Sequence, residues 1–283
     1  MMGHDTILDQ ILARVRAEIA AAKAARPPGA LTAMLAGAPP VRDFELALTA
    51  GFGVIAEIKA CSPSRGAMRA ENVRAAPQAY EHSPVVRAVS VLTNRSDFGM
   101  SIERLRDVRA AISKPVLRKE FIIDPYQVVE ARAFGADAIL LMTQRLDADE
   151  LRRLHDQARE LGMAVLVECR TAEEIARVPP GARIVGINSR DMLSSSDTYS
   201  RSRSGPADLS TNLDQFESVH LLPPGVLKIA ESGISPASIA RVRALGYDAA
   251  LIGTDLLLHP EGPAAALRAY EAALREPRAA TRA

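Results

Sequence analysis

Glu57 and Lys59 stand two residues apart at the end of the apolar run Val54-Ile55-Ala56-Glu57-Ile58-Lys59, which breaks into Ser62-Pro63-Ser64-Arg65-Gly66. Positions two apart on a strand share a face. Opposite charges at the end of a buried strand are costly unless they are paired and turned to a cleft. One internal ion pair would account for this stretch alone, but the arrangement recurs. Lys119 lies near the end of the run 115–121, and Glu168, Asn188 and Glu231 close the runs 164–168, 183–188 and 226–231. Parity groups Leu117 with Lys119, Leu166 with Glu168, Ile184 and Gly186 with Asn188, and Leu227 and Ile229 with Glu231. Arg190 adds a cation just beyond. Ammonium and carboxylate groups converging in this way suit acid–base chemistry. They suit a Schiff-base aldolase using Lys119 equally well.

Two further strand ends read as an anion site. One is Glu231-Ser232-Gly233-Ile234 and the other Leu251-Ile252-Gly253-Thr254. Small residues let backbone N–H groups approach an anion, and a helix start favours its negative charge. Either glycine alone would be a tight turn; at corresponding places they point to phosphate. The five histidines form no ligand-like cluster, so no metal is expected. His155 and His220 fall in helical stretches as surface or packing residues.

The elements that hold these residues alternate. Strands are expected at 54–59, 87–92, 115–121, 136–141, 164–168, 183–188, 226–231 and 249–252, with helices between them, for example at 101–111, 125–134, 148–161, 172–178, 236–245 and 262–274. Parallel strands need such crossovers. Eight units point to an α/β fold, a (β/α)8 TIM barrel, in which the strand ends named above form the catalytic face. A doubly wound sheet would usually place a Gly-x-Gly-x-x-Gly turn after its first strand, where this chain has Ser-Pro-Ser-Arg-Gly. Ahead of the barrel, residues 1–50 read as an N-terminal helical extension that packs on it. Leu8, Leu12, Val15 and Ile19 form a helical stripe over 5–23, capped by Asp5 or Thr6, and further short helices cover 31–35 and 43–48. The whole chain, 1–283, is expected to be a single domain. The segment 194–205, rich in Ser and Arg, breaks the rhythm and reads as a surface insertion or a lid.

A net charge of +1 and the absence of tryptophan give no reason to expect nucleic acid. No apolar run is long enough to span a membrane, and no basic-then-apolar start suggests a secretory signal. Cys61 and Cys169 make no disulfide framework, which suits a cytoplasmic chain.

The motifs together resemble the indole-3-glycerol-phosphate synthase family over nearly the whole length. The stretches that carry the resemblance are Ile55-Ala56-Glu57-Ile58-Lys59 with Ser62-Pro63-Ser64; Ser90-Val91-Leu92-Thr93; 115–124; Tyr126-Gln127 with Glu130-Ala131-Arg132; 135–141; Leu166-Val167-Glu168; Gly186-Ile187-Asn188-Ser189-Arg190-Asp191; and Glu231-Ser232-Gly233-Ile234. The resemblance implies ring closure of 1-(2-carboxyphenylamino)-1-deoxyribulose 5-phosphate with loss of carbon dioxide and water, without a cofactor. It implies that Lys119 protonates the ribulose carbonyl and that Glu168 and Lys59 serve the dehydration, with Glu57 orienting or assisting. Asn188, Arg190, Glu231 and Ser232 position the substrate. Ser62, Gly233, Gly253 and Thr254 hold the phosphate or line the pocket, and Phe98 and Phe121 flank the aromatic ring or pack the core. The partner implied is a small phosphorylated substrate, with the protein a monomer or weak homo-oligomer. Lys119, crowded by other cations, is expected to have its pKa lowered toward neutrality.

Some stretches depart from the family pattern. They are Ser83-Pro84-Val85-Val86-Arg87, Phe98-Gly99-Met100-Ser101, the long 194–205 segment, and Asp255 where a serine is usual. These leave open a paralogue that acts on a substituted anthranilate or serves a specialised indole pathway; a phosphate-binding barrel without catalysis is a separate reading, against which the full set of buried charges argues.

Overall fold

The structure is a computed structural model, and it describes residues 7–190 and 211–275. The segment 194–205 and the proposed caps Asp5 and Thr6 lie outside the described residues. Eight strands form a closed barrel: β1 (Gly53–Ile58), β2 (Val86–Leu92), β3 (Val116–Lys119), β4 (Ala138–Met142), β5 (Ala164–Cys169), β6 (Ile184–Asn188), β7 (Leu227–Glu231) and β8 (Ala249–Ile252). Each pairs in parallel with the next in sequence, and β8 returns to β1 through Gly53–Ala249 to Ala56–Ile252. The helices are α1 (Ile7–Ala25), α2 (Pro28–Met34), α3 (Phe44–Thr49), α4 (Ala70–His82), α5 (Arg95–Phe98), α6 (Ile102–Ala111), α7 (Pro125–Ala133), α8 (Ala148–Glu160), α9 (Ala172–Ile175), α10 (Pro236–Ala244), α11 (Thr254–Leu258) and α12 (Pro263–Arg275).

Strand parity divides the core in two. Val54, Ala56, Ile58, Val89, Val91, Ile139, Leu141, Val165 and Val167 point outward and pack under the helices. Ile55, Leu117, Leu140, Leu166, Ile184, Ile229 and Leu251 point inward and fill the barrel. The same interior cluster takes in the α1 stripe of Leu8, Ile11, Leu12, Val15 and Ile19 together with Phe121 and Met142. It also takes in Phe44 and Leu48 of α3, which packs against β2 and β7. Asp43 caps α3 by accepting from the Leu46 N–H.

At the N-terminal ends of the strands, Asp137 holds several elements together. Its carboxylate accepts from Arg42 N and Val116 N, both at 2.7 Å, and pairs with the Arg109 guanidinium at 3.0 Å. No helix among the described residues is long and apolar enough to cross a membrane.

Candidate active site

The C-terminal ends of the strands open into a cavity of about 720 Å³. All fourteen residues singled out from the sequence line it: Glu57, Lys59, Ser62, Phe98, Lys119, Phe121, Glu168, Asn188, Arg190, Glu231, Ser232, Gly233, Gly253 and Thr254. Strand register brings the charged ones together. Asn188 of β6 lies beside Glu231 of β7, and Gly186 lies between Glu168 and Ile229.

Lys119 is the centre of the charge pattern. Its Nζ lies 3.1 Å from Glu168 Oε2 and 3.3 Å from Glu231 Oε2. Glu57 and Lys59 form their own pair at 2.6 Å, so the ion pair that would account for β1 alone does exist, but it opens on the cleft. The expectation for Lys119 is corrected here. Burial alone would lower its pKa, but the carboxylates of Glu168, Glu231 and Glu57 outweigh burial and raise it. Acidic groups, and not cations, surround this lysine, so it stays protonated until a reacting group approaches. Burial works to raise Glu57 as well, but Lys59, Lys119 and Arg190 prevail and hold it below the usual carboxylate range. Glu231 goes the other way: burial, helped by the neighbouring charge of Glu168 and opposed by Lys119, pushes it up to about 8.

Behind Lys119 the backbone is fixed from the outer side of β3. Arg118, pointing away from the barrel axis, donates to Gln127 O at 2.7 Å, Glu130 Oε2 at 2.8 Å and Thr93 Oγ1 at 3.1 Å. Thr93 passes the chain on to Glu120 Oε2 at 2.7 Å. The Gln127 amide accepts from Ile123 N and donates to Phe121 O, closing the turn into α7. Buried networks with every member paired are stiff, so this one fixes where Lys119 emerges.

At the end of β7 lies the stretch expected from the sequence to cradle an anion. Ser232 and Gly233 both take the left-handed conformation, with φ of 73° and 69°. Both belong to a tight turn, and the start of α10, capped by Ser235, follows directly. Gly233 is also required by crowding, since a Cβ there would meet Thr211 Oγ1 at 2.6 Å. Asp255, the acid that replaces the usual serine, accepts from the Tyr270 hydroxyl at 2.7 Å. It therefore lies beside the cradle with its carboxylate engaged. Phe98 and Phe121 line the same cavity with ring centroids 6.3 Å apart, a spacing that suits aromatic contact.

Ser64, Arg65 and Thr211 also line the cavity and were not assigned from sequence. Arg65 falls in the loop already singled out, where a lone cation reads as solvated. Thr211 lies between β6 and β7, beyond the stretch rich in Ser and Arg, where no periodicity in the sequence marks it. Among the described residues no group of three or more His, Cys, Asp or Glu is arranged to hold a metal.

The family model for indole-3-glycerol phosphate synthase matches residues 8–268. An indole-3-glycerol phosphate synthase from Mycobacterium leprae is 41% identical over 260 residues, covering 89% of each chain. One from a Nocardioides species is 41% identical over 263 residues, covering 91% of this chain and 96% of its own. Among solved structures, the 3-hexulose-6-phosphate synthase of Salmonella typhimurium superposes with a TM-score of 0.56 at 14% identity, over 78% of this chain and 98% of that one. The last likeness is one of fold.

Proposed function

Because this chain belongs to the indole-3-glycerol phosphate synthase family, we propose that its cleft performs the ring closure with Lys119 as the acid. The family activity is that of a carboxy-lyase in tryptophan biosynthesis. The substrate in this reading is 1-(2-carboxyphenylamino)-1-deoxyribulose 5-phosphate. The observation that carries the assignment is Lys119 held between Glu168 and Glu231, in the same cavity as Ser232 and Gly233.

The phosphate docks on Ser232, Gly233 and the loop after β8, with Ser62 and Thr254 nearby. Anchored there, the chain of the sugar spans the cavity, and the aromatic ring lies against Phe98 and Phe121. Fixing both ends sets the ring carbon against the carbonyl, and such geometry is worth several kcal/mol of barrier, of order 7–11 at best. As the ring carbon attacks, the carbonyl oxygen takes the proton from Lys119. The carboxylate of the ring leaves as carbon dioxide. Glu168 then removes a ring-side proton while Lys59, oriented by Glu57, protonates the departing hydroxyl. Asn188 and Arg190 hold the hydroxyls and developing charge.

The elevated pKa of Glu231 gives this reading a pH dependence. Lys119 from β3, Glu168 from β5 and Asn188 from β6 face Glu231, with Glu57 of β1 and Lys59 just beyond it further round. Below about 8 the Glu231 carboxyl is neutral, and Lys119 lacks that negative charge beside it. Above that pH Glu231 ionises, and a second negative charge holds the proton of Lys119 more tightly. Turnover is expected to fall as pH rises through about 8, and the limb is expected to be absent in Glu231→Gln. A limb unchanged in that variant would exclude Glu231 as its source.

The direct test of function is indole fluorescence on mixing protein with substrate. The chain contains no tryptophan, so its own background is low. A rise that follows enzyme concentration supports the reading; a bound substrate with no rise removes it. We read the chain as one barrel domain, with 1–50 as an extension packed on it, supported by the α1 stripe within the interior cluster. We further propose a cytoplasmic monomer or weak homo-oligomer, consistent with two free cysteines.

A further inference from the structure

Gly186 is the one inward position of β6 with no side chain, between Ile184 below and Asn188 above. Its register partners are Glu168 on one side and Ile229 on the other. Glu231 belongs to the layer above, level with Asn188, but its carboxylate reaches down into the space over Gly186. A Cβ built on Gly186 would lie 2.2 Å from Glu231 Oε1 and 3.2 Å from its Cδ. The other near atom, Leu166 Cδ1 at 3.2 Å, is the mobile end of a side chain. Gly186 has no positive φ, so backbone conformation does not demand glycine here. What demands it is the carboxylate.

That carboxylate has little freedom. Glu231 is 1% exposed, and its Oε1 accepts no hydrogen bond among the described residues. Its Oε2 lies 3.3 Å from Lys119 Nζ in this same position. We propose that Gly186 is a positioning residue for the ring closure, vacating the space in which the Glu231 carboxylate is held beside Lys119 and Glu168. This rests on the catalytic site assigned above. Gly253 shows the same relation to Glu57, whose Oε1 would lie 2.4 Å from a Cβ there. At Gly253 the Cβ of Glu57 is also close, at 2.9 Å, so a side chain would displace the strand itself. Gly186 is the cleaner test.

Gly186→Ala should force the carboxyl group of Glu231 up into the cleft while the backbone of Ser232 and Gly233, which follow it in the chain, keeps its conformation. The expected result is kcat lower by about 100-fold, the scale of a misplacement near 1 Å, with KM changed less than about threefold. The readout specific to this role is the same substitution in a Glu231→Ala background, where the clashing atoms are gone. There Gly186→Ala should change neither kcat nor the thermal midpoint, and the midpoint reads the cycle whatever the residual turnover. If Gly186→Ala fails to fold, folding of the double variant supports the proposal and its failure to fold overturns it. Equal losses in both backgrounds also overturn it, because the glycine then serves packing alone. Unchanged kcat in Glu231→Ala overturns the role given to Glu231, and with it that of Gly186, and leaves the acid to be tested by Lys119→Met. Reduced kcat in Glu231→Ala with unchanged kcat in Gly186→Ala overturns only the role of Gly186.

Discussion

Turnover in Lys119→Met is expected to fall by at least about 10³-fold, within the range that a positioned general acid contributes. Methionine keeps much of the length of the side chain and removes the proton. Binding of the phosphorylated end should persist within a few-fold, since in this reading the phosphate rests on Ser232, Gly233 and the loop after β8 and not on Lys119. The control that separates proton donation from mere positive charge is Lys119→Arg. A guanidinium would still neutralise Glu168 and Glu231, but it does not release its proton in proteins. If Lys119 only balances charge, arginine restores most of the rate. If it donates, arginine is nearly as slow as methionine. Steady-state indole fluorescence reads turnover, and calorimetric titration with inorganic phosphate reads the cradle. Near wild-type turnover in Lys119→Met would reassign the acid.

The largest effect on stability is expected at the other end of the barrel. Asp137 is 1% exposed and pairs with Arg109, which is 7% exposed. It also satisfies the N–H groups of Arg42 and Val116. Asp137→Ala removes all three partners at once and leaves a buried guanidinium without its counter-charge, for which about 3–5 kcal/mol is typical. Burial pushes the Asp137 carboxyl above its ordinary range despite these bonds, so part of the pair's attraction is already offset by desolvation. Asp137→Asn should cost less, because one oxygen still accepts and the volume is kept. Urea denaturation followed by circular dichroism measures both. A cost under about 1 kcal/mol for alanine would mean that Arg109 finds other partners, and the value of breaking the buried pair would be misjudged.

Much of the architecture could be read from the residues. Alternating runs located eight strands, and parity alone sorted Ile55, Leu117, Leu166, Ile184 and Ile229 to the interior. Parity worked because a strand buried on both faces still sends its charges to one side at its open end. The helix Ala70–His82 drew no specific expectation, since Pro77 sits inside it and its polar positions blur the period. The hairpin of Cys61–Ser62 and Gly66–Ala67 is too short to leave any pattern. The protonation behaviour of Lys119 was misread for a different reason. Sequence shows that Lys59, Lys119 and Arg190 end up near one mouth, but the nearest neighbours of each depend on register around the barrel. Register puts Glu168 and Glu231, and not Lys59, against Lys119. The crowding at Gly186 was equally out of reach, because it depends on a rotamer of a residue 45 positions away.

The Asp137 junction and the Lys119 cluster sit at opposite ends of one short strand pair. β3 runs from Val116, whose N–H Asp137 holds, to Lys119 itself. At roughly 3.3 Å per residue the two ends are about 10 Å apart, with no partner in common. Substitutions this far apart usually add. The stability change in Asp137→Asn combined with Lys119→Met should therefore equal the sum of the two single changes, and its turnover should match that of Lys119→Met alone. Selection can then alter the resilience of this enzyme at one mouth of the barrel and its choice of substrate at the other, each without undoing what has accumulated on the opposite side.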